Sequence, residues 1–122
     1  VQVEGMVAGL VELIVGGRND PLFGPIVVAG LGGIFAEALQ DATTRLAPIH
    51  SAEARSMLEG LRGAALLGPF RGRPAADISA AADIISRVSV LLAELPEVRE
   101  LDLNPVLVSA DGCVAVDALA VV

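Results

Sequence analysis

VRELDLNPVLVSADGCVAVDALAVV, residues 98 to 122, decides the fold because it holds two strands and the turn that joins them. Apolar and polar residues alternate from 98 to 108, interrupted by Pro105, and residues 113 to 122 form a second apolar run. Asp111-Gly112, between the runs, has the chemistry of a tight hairpin turn. Side chains two apart on a strand share a face, so Asp102 and Asn104 point the same way, and Asp117 can come alongside from the partner strand. Two carboxylates and one amide are hard oxygen ligands of the kind Mg²⁺ takes while it stays bridged to substrate phosphates. Asp and Asn before a proline equally suit a strand cap or a turn start, and spacing alone does not choose between the two.

Working back from the hairpin, the pattern turns helical. Ile78, Ala81, Ala82, Ile85, Val88 and Leu92 recur at three and four residues, which predicts one buried stripe, with Asp77 as its cap and Glu94-Leu95-Pro96 as its end. Ser51, followed by Ala52-Glu53-Ala54, predicts a second helix with the serine as cap and an end near Gly60. A short helical turn over 61 to 67 stops at Gly68-Pro69. Further upstream, residues 1 to 7 alternate apolar positions with Gln2 and Glu4, and 10 to 16 resume as a strand after Ala8-Gly9. Asn19-Asp20-Pro21 marks a turn, 26 to 31 run apolar into Gly32-Gly33, and 34 to 40 continue beyond the glycines toward a stop at Pro48. Strands over 1 to 47, helices over 51 to 94 and a closing hairpin make the class α+β, with a mainly antiparallel sheet.

Composition narrows the function classes. The 122 residues are 54% hydrophobic with a net charge of −7, which fits one domain with a large core. Eight basic residues against fifteen acidic ones, with three aromatics, all Phe, give neither a phosphate footprint nor stacking platforms for nucleic acid. The single cysteine, Cys113, sits in an apolar run and rules out a disulfide framework or a cysteine zinc site. No stretch has the length of a membrane span and no signal segment opens the sequence, so a cytoplasmic setting is expected. Val1 and Val122 both fall inside apparent strands, the pattern expected of a piece of a larger protein.

Four ordered blocks carry a resemblance. Val11-Glu12-Leu13-Ile14-Val15-Gly16, Asp20-Pro21-Leu22-Phe23-Gly24-Pro25, Gly30-Leu31-Gly32-Gly33-Ile34-Phe35-Ala36-Glu37 and Asp102-Leu103-Asn104-Pro105 resemble the ATP-grasp domain of NDP-forming acyl-CoA synthetases. These are the acetate–CoA ligase (ADP-forming) relatives of the succinyl-CoA synthetase β subunit. The resemblance implies that residues 1 to 122 are a single lobe, the C-terminal part of the ATP-grasp domain, with helices on one face of the sheet. The family's preceding part, with its lysine and glycine-rich phosphate loop, has no counterpart in these residues.

The resemblance also implies roles. Glu4, Gly5 and Met6 would lie at the hinge that meets adenine through its backbone, and Glu12 would face the ribose hydroxyls, whose protons an ionised carboxylate can accept. Asp102, Asn104 and Asp117 match the magnesium positions, with Asp102 standing where the succinyl-CoA synthetase relative carries Glu. Gly32 and Gly33, whose bare amides can approach phosphate, and Glu37 fall near the family's catalytic centre, although glycines in a strand also mark bulges. Arg71 matches a further family block and can bind phosphate bidentately or simply pin its loop. His50 stands at a helix start and reads as a plain surface imidazole, because the family's phosphorylated histidine belongs to another domain.

The complete enzyme implied is an acid–thiol ligase that converts acyl-CoA, ADP and phosphate into free acid, CoA and ATP through a phosphohistidine. Its cofactors would be ATP or ADP with Mg²⁺, and its partners the CoA-binding and phosphohistidine domains of the same enzyme. Exposed strand edges would favour a homo-oligomer. Two other functions fit the same lobe: a regulatory module beside a protein acetyltransferase domain, and a structural fragment inactive in isolation.

Overall fold

The computed structural model describes residues 10 to 32, 41 to 69, 72 and 74 to 122. The strand expected over 1 to 7, the continuation over 34 to 40, and Glu4, Gly5, Met6, Gly33, Glu37 and Arg71 lie outside the described residues. Along the described chain run β1 (Val11–Asp20), β2 (Gly24–Leu31), β3 (Ala42–Leu46), α1 (Ser51–Glu59), a 3₁₀ turn (Ala64–Leu67), α2 (Ile78–Glu94), β4 (Glu100–Ser109), β5 (Gly112–Ala115) and β6 (Ala118–Val121). The sheet is antiparallel, in the order β3-β2-β1-β4-β5, with β6 also paired to β4.

β1 is a ten-residue strand with Val11, Leu13 and Val15 buried toward the helices and Glu12, Ile14 and Gly16 on the opposite side. It runs on to Asp20, four residues past the expected end at Gly16, because the two glycines at 16 and 17 allow close strand approach rather than a break. The Asp20 carboxylate accepts from the Leu22 amide at 2.8 Å and the Phe23 amide at 3.1 Å, which fixes the turn and lowers its pKa. Gly24 closes that turn at φ 78°, a backbone region that an L side chain rarely enters.

The helices pack on one face, as expected. Ala81, Ala82, Ile85, Val88 and Leu92 of α2 are buried against Leu13, Val15, Val27, Val106 and Val108 of the sheet. Asp77 caps α2 by accepting from the Ala80 amide at 3.0 Å. At the C-terminal end the Asn19 side chain donates to the Leu92, Leu95 and Val98 carbonyls at 3.0, 3.3 and 2.7 Å. That end of a helix presents unpaired carbonyls, so one amide from β1 ties α2 to the sheet.

Three local expectations are corrected. The N-cap of α1 is His50, with no side-chain bond, and Ser51 is the first helical residue; Glu53 still lies in the first turn. The helical turn over 61 to 67 is 3₁₀ from Ala64 to Leu67, and it follows two backbone bonds made to the buried Asp41 carboxylate, from Arg62 at 2.7 Å and Gly63 at 2.6 Å. The run over 113 to 122 is two strands, because Asp117 turns its carboxylate back to accept from the Ala118 amide at 2.9 Å. Among the described residues no helix is long and apolar enough to cross a membrane.

Candidate functional site

The face of the sheet turned away from α1 and α2 carries the predicted polar residues. Pairing fixes which residues share it. Glu12 is opposite Leu107 and Gly16 is opposite Asp102 on the β1–β4 ladder, while Asp102 is opposite Leu119 on the β4–β6 ladder. Since opposite residues in antiparallel strands share a face, Glu12, Gly16 and Asp102 stand together on the helix-free side.

Asn104, two residues on, joins them by alternation and stands at the start of an irregularity. The β1–β4 register shifts between Leu13 and Val15, so Asn104 and Pro105 both oppose Ile14. On one side of this bulge Leu101 and Leu103 pack on the core, and on the other Val106 and Val108 do. A simple alternation would have sent Val106 outward; the extra residue resets the phase and returns Val106 and Val108 to the core, while Asp102 and Asn104 stand exposed on the open face. The Asn104 amide donates to the Asp117 carbonyl at 3.2 Å and the Val116 amide to the Pro105 carbonyl at 2.9 Å, so Asp117 is directly across from Asn104.

The structure therefore brings Asp102, Asn104 and Asp117 to one exposed patch at the centre of β4 and the β5–β6 junction. Their chemistry suits a hard cation. Among the described residues no protein group donates to the Asp102 carboxylate or the Asn104 amide oxygen, and the Asp117 Oδ1 accepts from the Ala118 amide. No cluster of three or more His, Cys, Asp or Glu side chains arranged for a metal occurs among the described residues, so the trio, with its amide, would need further oxygens from a ligand. That is the usual state of a Mg²⁺ bound through one or two carboxylates and substrate phosphates.

Glu12 sits further along the same face, half-buried, and its backbone carbonyl accepts from the Gly32 amide at 2.8 Å. A side chain added at Gly32 would touch the Glu12 backbone and Cβ at 3.4 Å, so the glycine keeps the surface beside Glu12 low. His50 is exposed at the start of α1 and belongs to a different part of the surface from the β4 trio. The pattern of the sequence did not single out Gly16, which faces Asp102 across β1 and β4, because only the pairing register places it there.

Comparison with known proteins agrees with this architecture. A family model described as an ATP-grasp domain matches residues 1 to 122. The acetate–CoA ligase [ADP-forming] I of Archaeoglobus fulgidus is 46% identical over 117 residues, a match to 96% of this chain and 17% of that protein. The β subunit of acetate–CoA ligase [ADP-forming] I from Pyrococcus furiosus is 46% identical over 107 residues, covering 88% of this chain and 46% of that subunit. The chain thus spans less than half the length of these relatives. Among solved structures, the dinucleotide forming acetyl-coenzyme A synthetase 1 of Ca. Korarchaeum cryptofilum, in complex with coenzyme A and Mg-AMPPCP and with its phosphohistidine segment pointing towards the nucleotide binding site, superposes with a TM-score of 0.86. It is 41% identical, and the match covers 92% of this chain and 53% of that one.

Proposed function

The chain belongs to the ATP-grasp domain family, and from that membership we propose that it is the nucleotide- and Mg²⁺-binding lobe of an ADP-forming acyl-CoA synthetase. The parent enzyme would convert acyl-CoA, ADP and phosphate into free acid, CoA and ATP. The observation that carries the proposal is the convergence of Asp102, Asn104 and Asp117 on one exposed face that also holds Glu12. The Mg-AMPPCP complex of the Korarchaeum relative supports a magnesium nucleotide as the ligand of this fold.

In this reading each residue has a distinct task. Asp102 and Asp117 supply negative oxygens and Asn104 a neutral one, which together hold a divalent cation without a closed protein cage. Glu12 orients the nucleotide by accepting from its ribose hydroxyls. The bound metal would neutralise phosphate oxygens during phosphoryl transfer. An acidic chain of net charge −7 requires such a counter-charge to receive a polyphosphate. Glu4, Gly5 and Met6 at the adenine hinge, Gly32 and Gly33 beside the phosphates, and Glu37 and Arg71 near the reacting group complete the proposed set.

The test is nucleotide binding in the full-length protein that carries this chain. Calorimetric titration with ADP should show binding that depends on Mg²⁺ and that weakens in Asn104→Ala and Asp117→Ala. Mg²⁺-independent binding, unchanged in both variants, would remove the metal from the reading.

A further inference from the structure

We infer that Gly16 is a positioning residue for Asp102: its missing side chain is the seat that lets the Asp102 carboxylate lie over β1 and face a divalent cation. The inference rests on Asp102 being a metal ligand, as proposed above, and adds a residue that acts through it.

The geometry is specific. Gly16 and Asp102 are cross-strand partners on the helix-free face, so their side-chain positions are immediate neighbours. A Cβ built on Gly16 would fall 2.5 Å from the Leu101 carbonyl oxygen, 3.3 Å from the Asp102 Cα and 3.5 Å from Asp102 Oδ1. The first two atoms are backbone and cannot swing aside, so any side chain at 16 has to move β4 at the residue that bears the carboxylate. Gly16 itself is buried although it stands on the face that carries the exposed Asp102. The space above it is therefore already filled by neighbouring groups, of which Asp102 Oδ1 is one.

The adjacent glycine serves a different purpose. A Cβ on Gly17 would run into the Ile26 carbonyl oxygen and lie 2.6 Å from Leu92 Cδ1, on the side packed by α2. Gly17 is needed for helix packing, and the nearest groups to a side chain there belong to Ile26 and Leu92, not Asp102. The two neighbours thus separate damage to the sheet from damage to the proposed ligand.

Supporting residues that orient a metal ligand usually cost about 10- to 100-fold in metal affinity when changed. Gly16→Ala in the full-length protein is therefore expected to weaken binding of Mn²⁺ with ADP at least about tenfold, measured by water-proton relaxation enhancement. Gly17→Ala should lose at least as much thermal stability yet keep the parent affinity. In an Asp102→Ala background, Gly16→Ala should cause no further loss, since its effect runs through the carboxylate. Val28→Phe, which crowds Gly16 from its other cross-strand neighbour and so presses on Asp102 across it, gives a second route if Gly16→Ala does not fold, and should weaken Mn²⁺ in the same way. Parent-like affinity in Gly16→Ala, or in Val28→Phe where that variant stands in, overturns the inference. So does an equal affinity loss in Gly17→Ala, or full additivity with Asp102→Ala. If Asp102→Ala alone binds Mn²⁺ and ADP like the parent, the metal reading fails and this inference falls with it.

Discussion

Asn104 and Asp117 face each other across a single backbone hydrogen bond, so each can be truncated without disturbing the core. In the full-length protein, Asn104→Ala or Asp117→Ala should slow ATP formation roughly a hundredfold or more, the effect of losing ~2.7–4 kcal/mol of preorganised stabilisation. Both variants should keep the parent's circular dichroism, and Asn104→Ala its melting curve, while Asp117→Ala should melt slightly lower because it gives up the exposed bond to the Ala118 amide; near-normal turnover at saturating Mg²⁺ in both would remove them from the site. His50 makes the opposite case. It is exposed and caps α1 without a side-chain bond, so His50→Ala should change stability by less than about 0.5 kcal/mol and leave turnover intact. Loss of acid-labile phosphate from the enzyme in that variant would assign it a role after all. For Cys113, burial raises the thiol pKa, and the negative charges of Asp77 and Asp83 add to the shift. Alkylation by iodoacetamide at pH 8 should therefore be slower in the folded chain than in urea, where the thiol returns to its ordinary pKa. Equal rates would show that the thiol does not feel this environment.

α2 is held at both ends by residues that do not belong to its own apolar stripe. Asp77 satisfies one free amide at its start, and Asn19 satisfies three carbonyls at and beyond its end. Asp77→Ala should cost about 1 kcal/mol in urea denaturation of the dilute chain. Asn19→Ala, which leaves partly buried carbonyls unpaired, should cost about 1–3 kcal/mol. The two sit at opposite ends of a 17-residue helix, so their losses should add; strong non-additivity would mean that the helix unravels as one unit from either end. This element also shows what a sequence makes legible. The stripe and the Asp77 cap follow from local spacing, and both stand as expected. The Asn19 clamp does not, because its partners are 73 to 79 residues away and Asn19-Asp20-Pro21 reads locally as a turn. The same limit applies to the open face. The alternation around Asp102 and Asn104 is readable, but the bulge at Asn104-Pro105 that returns Val106 and Val108 to the core, and the Gly16 opposite Asp102, depend on how β1 pairs with β4.

At the scale of the molecule, the described strands leave an open edge along β5 and β6, besides the one at β3, and a sheet face that neither α1 nor α2 covers. β4 is paired on both sides, but no described strand takes the outer side of β5 and β6. Val114, Val116, Leu119 and Val122 along that edge are 59%, 58%, 65% and 81% exposed, a density of apolar side chains that a free edge strand rarely carries. Leu22 and Phe23 at the β1–β2 turn are exposed as well, at 86% and 68%. Contiguous apolar surface of this kind usually finds a partner. The 122-residue chain alone should therefore self-associate, with light scattering showing a mass that rises with concentration. Replacing Leu22 and Val122 by Lys should suppress this, because both are exposed, neither is a cross-strand neighbour of Asp102 or Glu12, and each lysine would have to be buried on association. The same chain should bind MgATP weakly, since the lysine and glycine-rich phosphate loop that the resemblance implies has no counterpart in these residues. Calorimetry at millimolar MgATP on the lysine variant separates the two effects, because association can no longer hide the site. Micromolar affinity in that monomeric sample would mean that Glu12, Asp102, Asn104 and Asp117 grip the nucleotide without that loop.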